Sequence, residues 1–171
     1  MDLSDIQERD LSESTIQIIP ADTYTVFVDE LKEGASKNGK HMFTVDFVIA
    51  EGAYKGQKLK HWFMVESKAG KAVFKYFLRC ISKDDKAPNQ FGDAMKQHCL
   101  GRMLRVGVGL EPSGRYLNSR VICMGHETED PAKFQDRFEK ALVRFDDKIV
   151  AESKTESKLS YAASQSGDVP F

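Results

Sequence analysis

Residues 40–66, KHMFTVDFVIAEGAYKGQKLKHWFMVE, decide the fold, because they read as two strands joined by a short turn. Alternation over residues 41–49 places Phe43, Val45, Phe47 and Ile49 on one side, and alternation over 58–66 places Leu59, Phe63 and Val65 on one side. These faces are expected to pair into a core. Lys58, Lys60, Trp62 and Met64 then point the other way, so the only tryptophan of the chain shares an outer strand face with two lysines. Gly52, Ala53, Tyr54, Lys55 and Gly56 supply a hairpin connection of a length that commonly carries a bulge.

Working outward, residues 24–31 alternate as a first strand, with Tyr24, Val26 and Val28 on one face, and residues 32–40 hold the turn formers Gly34, Ser36, Asn38 and Gly39 with three lysines. A flexible, positive loop is expected there. Downstream, Ser67 suits a helix N-cap, and Val73, Phe74, Phe77, Leu78 and Ile81 recur at helical spacing. After a polar break containing Pro88, a second helix is expected over residues 90–100, stopped by Gly101. Leu104, Val106, Val108 and Leu110 then alternate in a fourth strand, and a turn over 111–114 leads to a fifth over 115–124.

The two ends differ from this body. Residues 1–15 read as an acidic mobile arm with Leu3, Ile6 and Leu11 as its only sizeable apolar side chains. From 126 to 150 a C-terminal amphipathic helix is expected: Asp130 caps it, Pro131 takes its first position, and Phe134, Phe138, Leu142, Phe145 and Ile149 form one stripe. That stripe packs either on the body or against a second copy in a homodimer. Residues 151–171 read as a disordered tail by composition. Residues 16–125 are left as one domain.

Charge is segregated along the chain. Residues 1–19 carry five acidic and one basic side chain, residues 20–125 carry 17 basic and 11 acidic, and residues 126–171 carry seven basic and ten acidic. A basic body between acidic ends suits an anionic partner. Cys80, Cys99 and Cys123 are odd in number, widely spaced and without a CxxC pair, which fits a reducing cytoplasm rather than a disulfide framework. No signal-peptide pattern and no membrane-length apolar run is read, so a soluble protein without a membrane partner is expected. There is no Gly-rich phosphate loop, HExxH or GxSxG, and His41, His61, His98 and His126 lie far apart. Neither an enzyme, a metal site nor a cofactor is expected, and His61, on the apolar face of its strand, reads as a hydrogen-bonded core histidine.

Five strands with a helical insertion between the third and fourth match the order of an OB-fold, a small barrel that holds oligonucleotides on its second and third strands and adjoining loops. The basic groups fall accordingly. Lys32, Lys37 and Lys40 lie in the first loop, Lys58, Lys60 and Trp62 on the outer face of strand three, and Arg115 and Tyr116 follow the turn before strand five. Arg105 sits opposite the core face of strand four, Arg120 is on strand five, and Tyr54 joins Tyr116 as a further stacking candidate. Single-stranded nucleic acid asks for this mixture of cations and flat rings, each stacked base contributing about 1–3 kcal/mol. Asp46, on the outer face of strand two, would repel phosphate. The alternative is an OB-like protein-interaction module using the same face and the C-terminal helix.

Asp168, Val169, Pro170 and Phe171, at the end of a polar tail behind a basic body, resemble the C-terminal tip of bacterial single-stranded DNA-binding proteins (SSB). That resemblance implies a tip that recruits replication or recombination proteins, with the phenylalanine in a partner's pocket. The tip has one acidic residue, Asp168, where the bacterial tips have several, which implies weaker electrostatic attraction. The body is similar to phage-encoded proteins related to SSB, in which a Tyr-x-Val strand, a Lys-x-Gly loop and a Gly-x-Tyr-x-Gly hairpin recur, here residues 24–26, 37–39 and 52–56. The implied function is non-catalytic binding of single-stranded DNA in phage replication or recombination, in a bacterial cytoplasm.

Overall fold

The structure, a computed structural model, describes residues 18–166, with side chains for residues 18–153. The strands are β1 (Asp22–Ala35), β2 (His41–Ile49), β3 (Lys58–Met64), β4 (Met103–Ser113) and β5 (Tyr116–His126), and the helices are α1 (Lys68–Ile81), α2 (Asp93–Cys99) and α3 (Pro131–Ser166). All five strands join one antiparallel sheet in the order β3-β2-β1-β4-β5. The molecule is therefore mainly β, with β3 and β5 as the two edges of an open sheet and helices inserted between β3 and β4 and appended at the C-terminal side.

The alternation in β2 and β3 is what builds the core. Phe43, Val45, Phe47 and Ile49 are buried, and the register sets Phe43 opposite Phe63 and Phe47 opposite Leu59. In β1 the buried side chains are Val26, Val28 and Leu31, a spacing that breaks the period of two. A bulge restores it: the pairing passes from Val28↔Phe47 to Glu30↔Asp46 and leaves Asp29 as the extra residue. The Ser67 hydroxyl accepts from the Gly70 N–H at 3.0 Å and starts α1, which lays Phe74 and Phe77 on the Phe43, Phe47 and Phe63 rings at centroid separations of 4.7–6.0 Å. Burying each such ring is worth roughly 1.5–3 kcal/mol.

Three boundaries differ from the expectation. The loop over residues 32–40 shrinks to a tight turn, since β1 pairs with β2 as far as Ala35↔His41 and the chain reverses where the Gly39 N–H donates to Ser36 O at 2.9 Å. Lys32 consequently stands on a strand, opposite Thr44, and not in a loop. At the other hairpin the strands extend to Ser113 and Tyr116, leaving Gly114 and Arg115 as the connection, with Gly114 at φ 59, the positive value wanted at the first position of a type II′ turn. At the C-terminal side α3 continues to Ser166, through most of the stretch expected as a tail from residue 151. Residues 132–166 contain neither Gly nor Pro, and Gly167 follows directly. The expected arm over residues 1–15 and the tip at 168–171 lie outside the described residues.

The first half of α3 packs on the body. Phe134 and Phe138 are buried, and their seat is a row of glycines on the outer side of β4 and β5: a Cβ on Gly107 would strike the Phe138 ring, and one on Gly109 would lie 2.8 Å from Phe145. Arg137 locks the arrangement by donating to Tyr76 Oη at 2.7 Å on α1, to Met124 O at 3.1 Å on β5 and to Glu129 at 2.6 Å. Of the two fates expected for the apolar stripe, packing on the body is the one taken by Phe134 and Phe138, while Phe145 and Ile149 remain half-buried.

Candidate nucleic-acid interface

Because side chains alternate along β3, Lys58, Lys60, Trp62 and Met64 stand together on its outer face while Leu59 and Phe63 go to the core. Trp62 is 40 % exposed. Across the open seam of the sheet, β5 brings the Arg120 guanidinium over the indole, 5.0 Å from the ring centroid. Arg120, Trp62, Lys60 and Lys58 line a groove of about 290 Å³ that Leu117 and Ile18 complete. A stacked arginine on an aromatic face is itself attractive, by about 0.5–2 kcal/mol according to how far it is desolvated.

The same face carries several carboxylates, of which the sequence pattern revealed only Asp46. Lys60 Nζ lies 3.8 Å from Asp46, its register partner on β2, and Lys58 Nζ lies 3.6 Å from the bulged Asp29. Arg120 donates to Glu111 at 2.6 Å, and Lys32 pairs with Glu30 at 3.2 Å. Asp46 is the unusual one. Its Oδ1 is enclosed yet accepts no hydrogen bond, and Glu30 stands directly across from it on β1. The exposed pairs, Lys58–Asp29 and Lys32–Glu30, contribute little and exchange readily for another anion, whereas Lys60–Asp46 and Arg120–Glu111 are more enclosed.

The remaining candidates are dispersed. Lys37 and Lys40 lie on the β1–β2 turn, beyond the end of the face marked by the Met42↔Met64 pair. Arg115 and Tyr116 project from the β4–β5 turn, Tyr116 being 67 % exposed and next in sequence to Leu117 of the groove. Arg105 and Tyr54 share a separate cleft of about 570 Å³ with Tyr24 and Pro131. There the Tyr54 ring is half-buried and edge-on to Tyr24 at 6.1 Å, so it serves the core more than an open stacking platform.

The titratable groups around the groove follow from burial. Half-buried His61 sits edge-on to Phe63 at 4.6 Å, with no hydrogen bond among the described residues, so its expected hydrogen-bonded role is corrected to a ring contact. Desolvation, and secondarily the Arg120 charge, push its pKa down to about 4, keeping the ring neutral near pH 7. Burial raises the Cys80 thiol to about 11 and the Cys99 thiol to about 12, and raises Cys123 as well. All three cysteines are free. Among the described residues no cluster of His, Cys, Asp and Glu is arranged to hold a metal ion, and no helix is long and apolar enough to cross a membrane.

A second basic surface went unrecognised in the sequence. Lys68, Lys71, Lys75, Arg79, Lys83 and Lys86 face only Asp84 and Asp85 within residues 67–90, so most of the body's positive balance lies on α1 and the loop after it. The signal was present, since Lys71, Lys75 and Arg79 recur every fourth residue and so share one side of a helix.

Fold and surface together define a small, mainly β protein with an aromatic face of paired charges at its sheet edge and a second, basic surface along α1 and the loop after it. The chain belongs to the family described as protein of unknown function (DUF669), whose model matches residues 5–121. No curated protein matches it.

Proposed function

We propose that the protein binds single-stranded DNA without catalysing a reaction, in phage replication or recombination, through the groove between β3 and β5. The observation that carries this reading is Trp62, an exposed indole with Arg120 on it and Lys58 and Lys60 on the same strand face. A base stacks on the open part of the indole, and the lysines exchange Asp29 and Asp46 for phosphate. The strand order supports an OB-type barrel: β1 is shared between β2 and β4, the helical insertion lies between β3 and β4, and β3 meets β5 through the Trp62–Arg120 contact. Tyr116 and Arg115 extend the path from the neighbouring turn, while the tip at 168–171 recruits replication or recombination proteins.

Trp62 is also the reporter. Its fluorescence is expected to be quenched by oligo-dT at low salt and restored as salt rises. With three or four phosphate contacts, the logarithm of affinity should fall with the logarithm of salt at a slope of about −2 to −3. Trp62→Ala should weaken retention on oligo-dT by about 1–3 kcal/mol, or roughly 5- to 150-fold. Unchanged fluorescence together with no retention at low salt would refute the reading.

A further inference from the structure

A cavity of about 820 Å³ opens between α1, the loop over residues 82–92 and the start of β2, on a different side of the core from the Trp62 face. Its floor is apolar, made by Phe43, Val65, Phe74, Phe91 and Met95, and its rim carries Lys71, Lys75, Arg79, Lys83 and Lys86. Unlike the lysines of the strand face, four of these five cations are uncommitted: among the described residues only Lys83 has an ion-pair partner, Glu127 at 3.2 Å. The carboxylate at the rim, Asp85, is already held by both terminal nitrogens of Arg102, at 2.9 and 2.5 Å, with His98 beside it. Along α1 the cations at 71, 75 and 79 rise about 6 Å apart, one per turn.

We propose that this groove binds the acidic arm of the same chain, residues 1–17, with Leu3, Ile6 and Leu11 on the apolar floor and its carboxylates against the cationic rim. The arm carries Asp2, Asp5, Glu8, Asp10 and Glu13 against the single cation Arg9. Its charge and its spaced aliphatic side chains are the complement of the groove. Reach is sufficient. The chain is anchored at Ile19, whose N–H donates to Ser119 Oγ at 3.0 Å and whose carbonyl accepts from the same hydroxyl at 2.8 Å. From there, 17 extended residues span up to about 60 Å, more than the width of a body this size.

Two competing arrangements fit less well. The Trp62 groove is nearer the anchor but smaller, and its cations already face carboxylates of the body. Nucleic acid would find cations for its phosphates on the rim of the larger cavity but few partners for its bases on the floor. Phe91 stacks on Phe43 at 4.5 Å and has Lys96 over its ring at 5.5 Å, and the Ser82 hydroxyl is engaged with Leu78 O and His98, which leaves little on the floor for a base to stack on. The family match, over residues 5–121, contains most of the arm and the whole groove but neither α3 nor the C-terminal tip. That favours the arm over the other acidic end. The proposal does not rest on the Trp62 reading.

The test uses the full chain at low micromolar concentration and low salt. Carbodiimide activation, read by peptide mass spectrometry, should join Asp5, Glu8 or Asp10 to Lys71, Lys75 or Lys86 within one chain. Amides of residues 3–11 should exchange about tenfold more slowly than in a free peptide of the same sequence. Both signals should be lost in Lys75→Glu/Arg79→Glu, and also in Leu3→Ser/Ile6→Ser/Leu11→Ser, which leaves the body untouched. Arm amides exchanging at the free rate in the unaltered chain overturn the proposal. So do cross-links that form only between two chains, which make a second copy's arm the occupant, and protection that survives both variants. Oligo-dT binding that Lys75→Glu/Arg79→Glu abolishes while the arm stays free would instead make the groove a nucleic-acid site.

Discussion

Replacing Gly107 by alanine tests how α3 is held on the sheet. Intrinsic preference alone favours the change, since glycine inside a regular element costs about 0.5–1 kcal/mol relative to alanine. The packing predicts the opposite sign. The new methyl would stand against the edge of the Phe138 ring, with Cε2 at 3.0 Å and Cδ2 closer still, and with Cys123 Cβ at 3.2 Å on its other side. Cys123 belongs to β5, which pairs with β4 at this point, so it cannot withdraw. The ring must move, and Phe138 is only 4 % exposed. Overpacking of this kind costs about 1–3 kcal/mol, and complete loss of the ring's burial about 3–5 kcal/mol, so Gly107→Ala should destabilise by about 2 kcal/mol. The melting temperature should fall by roughly 4–8 °C. Urea unfolding of Gly107→Ala, Phe138→Leu and the double variant isolates the contact, and the double variant should be more stable than additivity predicts by about 1 kcal/mol. A neutral or stabilising Gly107→Ala, or an additive cycle, would refute the seat described for α3.

Other outcomes follow from the groove and its surroundings. Asp46→Asn removes a carboxylate facing Glu30 and releases Lys60, so oligo-dT affinity should rise by roughly two- to fivefold in a fluorescence titration; a fall would show that Asp46 supports the site. His61 has a folded pKa lowered to about 4. The unfolded chain therefore takes up its proton first as pH falls, and the stability His61 contributes is present above about pH 6.5 and lost between there and pH 4. That loss amounts to about 3 kcal/mol, and the difference in unfolding free energy between the unaltered chain and His61→Phe should shrink by a comparable amount across that window. Burial and raised pKa values make Cys80 and Cys99 poor nucleophiles, so a disulfide reagent at pH 8 should modify half-buried Cys123 first and reach the other two only after unfolding. Equal rates for all three would contradict the burial described.

What was legible in the sequence was whatever short-range pattern dictates. The pairing of β2 with β3, the core from Phe43 to Phe63, the Ser67 cap and the stripe of α3 all follow from period and capping chemistry within a few residues. The extension of β1 to Ala35 did not, because Lys32, Glu33 and Gly34 have no apolar alternation and become a strand only by pairing with residues 42–44. On the outer face the alternation gave Lys58, Lys60, Trp62 and Met64 together and Asp46 on the neighbouring strand, but not the remaining carboxylates. Asp29 reaches Lys58 only because of the bulge, and Glu111 reaches Arg120 only across the β4–β5 ladder. Arg120 over Trp62 joins residues far apart in the chain, which no local pattern encodes. The basic side of α1 was encoded locally but disappeared into a charge total summed over the whole body.

The seam between β3 and β5 has a mechanical consequence. Each of these strands is hydrogen-bonded on one side only, to β2 and to β4 respectively, so no ladder joins one edge to the other. What spans the line is Arg120 resting on Trp62, together with α1, which packs on Phe63 of β3 and donates from Tyr76 to Met124 O of β5. Parting the two strands along that line would break no ladder hydrogen bond, only these side-chain contacts and the bridge through α1. A ligand laid across both edges would act as a clasp, part of its binding energy holding the two strands together as well as the ligand.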